Sequence, residues 1–256
     1  MKYSKTFKTT LPLLLITFAI ATSSFIWLKE ILLYSQNIDL KETRHLETDV
    51  KFIGGTINIS THKESFAEFK SEYSKPNWKA KVKWDAKNHR LNIHQPEEKD
   101  SNVDDKGKND WRIKIPDHLE SNLNINIGGG LGEFDLSNSK VGSIELHAGG
   151  GSFNLNLANS TVSNINANVG GGSLTVDLSG KHDKDIKGKI ILGAGLLQIT
   201  LPGLSGIRIK VSGARGNKGG LKEQNGYYVN ELYGKASHNI DLEVTNGPGV
   251  TDIQVR

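Results

Sequence analysis

Three glycine triplets constrain this chain more than any other feature: Gly128-Gly129-Gly130, Gly149-Gly150-Gly151 and Gly170-Gly171-Gly172, set at a 21-residue period. A fixed period of this size marks stacked structural units. An alternating run precedes each triplet: Leu123 to Ile127, Ile144 to Ala148, Ile165 to Val169. Another follows: Phe134-Asp135-Leu136, Phe153 to Leu157, Leu174 to Leu178. Period-two alternation is the strand signal. Each unit therefore reads as strand, glycine corner, strand, polar connector.

In-register stacking places Phe134, Leu155 and Val176 in one inward column and Leu136, Leu157 and Leu178 in a second. Asp135, Asn156 and Asp177 form the outward column between them. Glycine at a corner tolerates positive φ and lets neighbouring coils approach closely, and Gly150 is the expected site of that strain. The fold class expected is all-β, a stacked-strand β-solenoid with about 21-residue coils, or a closely related stacked meander. Strand direction is left open.

The same grammar extends in both directions. Val50 to Ile59 carries a two-glycine corner at Gly54-Gly55 and reads as an early coil. Ala67 to Tyr73, Trp78 to Trp84 and Leu91 to His94 alternate like a hairpin or meander, with a turn at 85–89. Residues 96–110 form a charged loop, and Trp111 to Pro116 restarts the array. Further corners are Gly193-Ala194-Gly195 and Gly247-Pro248-Gly249. Between them, 213–233 is a Gly-, Lys- and Asn-rich excursion carrying Tyr227 and Tyr228, the candidate surface contacts. Ile240 to Val255 reads as the closing coil.

Residues 1–34 read as a membrane anchor or signal segment. Lys2, Lys5 and Lys8 precede an uncharged run of 18 residues, Leu11 to Leu28. As a helix that run spans about 27 Å, close to the hydrocarbon thickness. The expectation is one N-terminal hydrophobic helix holding the chain in the membrane through 11–28, single-pass, with the C-terminal domain extracytoplasmic. The alternative is cleavage near Ala21, releasing a secreted or periplasmic protein. Residues 35–48 read as a polar spacer and 49–256 as the β domain.

The net charge is +4, and the three N-terminal lysines carry +3 of it, so nucleic acid is not an expected partner. With no cysteine, disulfides, thiolate chemistry and Cys-ligated zinc are excluded. No cofactor or metal site is expected. The run 129–135 places Phe134 where a calcium nonapeptide repeat needs Asp. The glycines of 213–220 lack the Gly-Lys-Ser/Thr of a phosphate loop. The eight histidines have no ligand spacing, and no Ser lies in a G-x-S-x-G context. Asp104 and Asp105 read as a solvated pair. Asp135 and Asp177, two coils apart, are the one carboxylate pair within loose reach of glycosidase spacing. The bland reading is a solvated outer face, and the same holds for the basic meander of Lys79, Lys81, Lys83, Lys87 and Arg90.

The strand Trp111-Arg112-Ile113-Lys114-Ile115-Pro116, the GGG, GAG and GPG corners, the Tyr-containing excursion and the closing Ile240 to Val255 together resemble the bacterial toast-rack domain, over about 50–256. The resemblance implies a stack of short strands. It also implies kinship with adhesin-like surface proteins and with the C-terminal part of LiaF-type envelope-stress regulators. The motifs are structural and carry over no functional residues. LiaF-type proteins have several membrane helices, whereas this chain has one hydrophobic segment. The function expected is a non-enzymatic binding, adhesion or envelope-sensing scaffold whose partner is an unknown envelope protein or glycan. The alternatives are a polysaccharide-acting enzyme, or a self-stacking element forming homo-oligomers end to end through an unpaired terminal strand.

Overall fold

Strand β1 (Leu32–Asp39) is the first element of a computed structural model that describes residues 30–40, 42–96 and 107–256. The anchor or signal segment expected before it lies almost wholly outside the described residues, as do 97–106 of the charged loop. The expected spacer at 35–48 is instead most of β1 and the start of β2 (His45–His62). β1 reads as polar because it is a terminal strand. Of its alternating side chains, Ile38 is buried and Leu32, Tyr34 and Gln36 are half-buried.

Next come β3 (Phe66–Tyr73), a 3₁₀ turn at Pro76–Trp78, and the short strands β4 (Lys81–Asp85) and β5 (Arg90–His94). β6 (Asn109–Pro116) starts two residues earlier than expected and takes the end of the charged loop. β7 (Glu120–Asp135) follows, then β8 (Val141–Ala148), β9 (Gly151–Asn156), β10 (Asn164–Val169), β11 (Gly172–Asp177), β12 (Ile186–Leu192) and β13 (Gly195–Leu201). The chain closes with β14 (Gly206–Gly213), the hairpin β15 (Lys222–Gln224) and β16 (Tyr227–Val229), then β17 (Asn239–Asn246) and β18 (Gly249–Val255).

Successive repeats pair in parallel, residue on residue. Ile144 aligns with Leu123 and Ile165, and Leu155 with Phe134 and Val176. One half of each layer runs β5, β2, β7, β8, β10, β12. The other runs β6, β2, β7, β9, β11, β13, β18. β2 and β7 pass through their corners as single strands and belong to both halves. Antiparallel strands close the ends. β4 lies on β5, β3 on β6 and β1 on β3; at the far end β16 lies on β14 and β15 on β16. The result is a large mixed sheet, parallel in the middle.

The last repeat in sequence is not last in space. β17 pairs with β12 on one side and β14 on the other, so β14 leaves a place that β17 later fills. β18 is covered in the same way: Thr251 and Ile253 donate N–H bonds to the carbonyls of Arg215 and Asn217. The expected closing coil is thus an internal layer. The excursion is the route back, with β15 and β16 folded onto β14.

The inward columns are fully buried. Phe134, Leu155, Val176, Ile199 and Ile253 form one, and Leu136, Leu157, Leu178 and Leu201 another. Gly132 stands in an inward column because a Cβ there would sit 2.7 Å from the rings of both Phe134 and Phe153. Near β1 the core is aromatic. Trp111 packs at 4.9 Å from Phe52 and 5.2 Å from Phe69, and Tyr34 reaches Phe69 at 5.8 Å.

The corners sort the glycines by position. A Cβ on the first glycine (Gly128, Gly149, Gly170, Gly193, Gly247) would lie 1.8–2.3 Å from a backbone carbonyl of the preceding layer. The third (Gly130, Gly151, Gly172, Gly195, Gly249) has φ between +112° and +152° and meets a carbonyl at 1.8–2.1 Å. At the middle position, a Cβ on Gly129, Gly150 or Gly171 would find only ordinary or slightly tight contact, at 3.3–3.5 Å. The positive φ expected at Gly150 belongs to Gly151. Ala194 and Pro248 occupy the tolerant middle position in their own corners, as this geometry permits. Gly151→Ala should therefore lower unfolding free energy by about 3 kcal/mol or more, and Gly150→Ala by less than about 1 kcal/mol. Urea denaturation of the two variants checks the difference.

Candidate binding surface

The outward columns are tied together across the layers. Asn156 Nδ2 donates to Asp135 Oδ1 at 3.0 Å, Asn154 Nδ2 to Glu133 Oε1 at 2.8 Å, and Ser173 Oγ to Ser152 Oγ at 2.8 Å. On the other half Ser143 Oγ donates to Asn122 Oδ1 at 2.9 Å, and Asn122 Nδ2 to Glu47 Oε1 at 2.9 Å. Short polar side chains on parallel, in-register strands meet their counterparts one layer away, so each column forms a ladder.

Asp135 and Asp177 also have local work. Asp135 Oδ1 accepts the N–H of Ser137 at 3.3 Å, Asn156 Oδ1 that of Ala158 at 3.1 Å, and Asp177 Oδ1 that of Ser179 at 2.8 Å. Each opens the polar connector with an Asx-type bond to the backbone two residues on. The connector then turns through Asn138, Asn159 and Gly180, all with positive φ. Ser139 and Ser160 close it by donating to the carbonyls of Leu136 and Leu157. This second turn column was not singled out in the sequence. Its signal is Asn138, Asn159 and Gly180, repeating at the same 21-residue interval as the triplets.

Tyr227 and Tyr228 are half-buried. Tyr227 and Tyr233 flank the Arg208 guanidinium at 5.1 and 4.9 Å, while Arg208 binds Asp241 of β17 through Nε at 3.2 Å and through Nη2. The Asp241 carboxylate raises the Arg208 pKa. Lys218 stands 5.8 Å from the Tyr228 ring centre, and burial lowers its ammonium pKa. Both rings thus pack against cations of this same chain and fasten the hairpin to the stack.

The corner glycines leave a concavity in the surface. Gly128, Gly149 and Gly170 floor a shallow groove of about 500 Å³ that crosses the layers. Lys51, Asn126, His147 and Asn168, one outward column, line its bank beside Ile53 and Gln95. Gln95 is buried and holds the first corner: its Oε1 accepts from Ile53 N and Asn109 Nδ2, both at 3.0 Å. Sequence reading took these glycines as corners only and missed the groove that their absent side chains create. No group of three His, Cys, Asp or Glu residues fit to hold a metal occurs among the described residues. Asp104 and Asp105 lie outside them.

Glycine-cornered parallel layers closed by antiparallel strands define an all-β repeat domain with a laterally bonded polar surface. Over residues 29–168 and 143–200 the chain matches the family described as the N-terminal domain of toast_rack, and it belongs to that family. Its fold is similar to that of a "putative cell adhesion protein" from Clostridium sporogenes, at 23% identity and TM-score 0.68, over 89% of this chain and 100% of that one. A "putative adhesin" from Bacteroides fragilis matches at 12% identity and TM-score 0.29, over 86% of this chain and 97% of that one, and informs nothing further. No curated protein matches.

The turn bonds decide the effect of Asp177. Asn keeps an oxygen acceptor for Ser179 N, as Asn156 does for Ala158, whereas Ala removes it. Asp177→Asn should change stability by only a few tenths of a kcal/mol, and Asp177→Ala should cost about 1 kcal/mol. Thermal melts of the pair test the assignment.

Proposed function

We propose that the chain is a non-enzymatic scaffold of the cell envelope, a toast-rack stack working as a β-solenoid that binds an extended polymer. Residues 11–28 would hold it in the membrane with the β domain outside. The groove over Gly128, Gly149 and Gly170 carries the reading. It runs across the repeats, Phe52, Ile127 and Ala148 stand beside its glycines, and its bank offers amide, imidazole and ammonium groups at a regular spacing of about 4.8 Å. Such a groove suits a repeating polar chain, and an envelope glycan is the partner that fits best. The carboxylates considered for glycosidase chemistry are engaged in turns and ladders, which supports binding over hydrolysis.

Cosedimentation with purified insoluble envelope glycan tests this reading. The wild type should pellet with the glycan, and His147→Ala/Asn168→Ala should bind roughly tenfold less, the loss of about two hydrogen bonds. A wild type that stays in the supernatant contradicts glycan binding. Release of soluble sugar by the wild type, lost in Asp177→Asn, contradicts the non-enzymatic reading. External protease on spheroplasts should degrade the β domain, and its protection until lysis contradicts the extracytoplasmic placement.

A further inference from the structure

The basic hairpin of β4 and β5 takes no part in the corner groove. Lys79, Lys81, Lys83, Lys87 and Arg90 are all exposed. Lys81 and Lys83 alternate with Val82 and Trp84, which pack against the core, so the strand turns its cations to one outer face. Arg90 on β5 lies opposite Asp85 on that face. Asp85 is committed to the hairpin turn, where it accepts from Lys87 N at 3.1 Å, Asn88 N at 3.3 Å and Asn88 Nδ2 at 2.8 Å. Glu47, beside Arg90, is bound by His45 at 2.6 Å and by Asn122 at 2.9 Å. Among the described residues Lys81, Lys83, Lys87 and Arg90 form no ion pair.

The position of this cluster gives it meaning. Among the described residues β4 pairs only with β5, and β1 only with β3, so both strands are outermost at the same end of the stack. The Lys79 ammonium stands 4.6 Å from the ring centre of Tyr34 in β1. The chain therefore enters the β domain at the end that bears the cations. Only residues 29–31 separate the uncharged run from β1, and three extended residues reach about 10 Å. Leu33, on β1, is 74% exposed at that end.

We propose that this end of the stack seats on an anionic membrane surface, with Lys81, Lys83, Lys87 and Arg90 on lipid phosphates and Leu33 at the interface. The inference rests on the reading that 11–28 enters the bilayer: the short tether would keep the basic end within a Debye length of the headgroups. Lysines on an edge strand also discourage strand-to-strand aggregation. Glutamate would serve that purpose equally well but would be repelled by anionic lipid, so charge reversal separates the two roles.

The test uses the full chain with vesicles of phosphatidylcholine alone or mixed with phosphatidylglycerol. Flotation reads association, and mass spectrometry after amine labelling reads lysine protection. Lys79, Lys81, Lys83 and Lys87 should label about fivefold more slowly on the anionic vesicles than on the neutral ones, with the difference erased in about 1 M salt. Lys189 and Lys210, in distant layers, should label equally on both. Lys81→Glu/Lys83→Glu/Lys87→Glu/Arg90→Glu should abolish the protection of Lys79 while the protein still floats. Flotation on both vesicles with equal labelling overturns the docking surface and leaves the anchor standing. Flotation on anionic vesicles alone, with protection of these lysines, supports the docking surface and overturns the anchor. Flotation on neither overturns both.

Discussion

Adjacent layers of this protein approach so closely at their corners that no side chain fits between them. At the first and third corner positions a Cβ would fall about 2 Å from the carbonyl of the layer before. Through that contact the hydrogen-bond ladder turns the corner unbroken. Gly149 N donates to Ile127 O, and Gly151 N reaches forward to Gly171 O, both at 3.0 Å. One corner thus ties each layer to both neighbours and fixes the register of two half-sheets at once. Register decides everything downstream, since a one-residue slip would exchange the inward Phe134, Leu155 and Val176 for the outward Asp135, Asn156 and Asp177.

The same missing side chains shape the surface. Stacking in register lines up Asn, Asp, Ser and Thr into ladders whose rungs bond laterally, which orders the outer faces. Over the corners no side chain projects, and the groove beside Lys51, Asn126, His147 and Asn168 results. The closeness that builds the stack therefore also builds the site proposed for polymer binding. Antiparallel strands finish the ends, and the lysines of β4 make one end unlike the rest of the molecule.

The parts legible in the sequence were those that repeat. The triplets gave the period, and the columns Phe134-Leu155-Val176 and Asp135-Asn156-Asp177 fall inside and outside as alternation requires. What escaped reading has physical reasons. All three glycines of a triplet look alike in sequence, and only the backbone path separates the two that admit no Cβ from the one that does. β14 and β17 share one strand grammar, so chain order could not tell that β17 is inserted between β12 and β14. Residues 35–39 of β1 read as spacer because a strand with a single neighbour needs few apolar residues, and Ile38 is its one buried side chain. The groove was missed because it consists of absent side chains, which no residue pattern announces.

Native-state amide hydrogen exchange tests the layered account most directly, because it ranks strands by their place in the stack rather than in the chain. Amides of Ile240, Leu242 and Val244 in β17 should exchange as slowly as those of Ile190 and Leu192 in β12, despite their position near the end of the sequence. Lys222 to Gln224 in β15 should exchange far faster. If β17 exchanges with the terminal strands instead, it is not an internal layer, and the account of the stack fails.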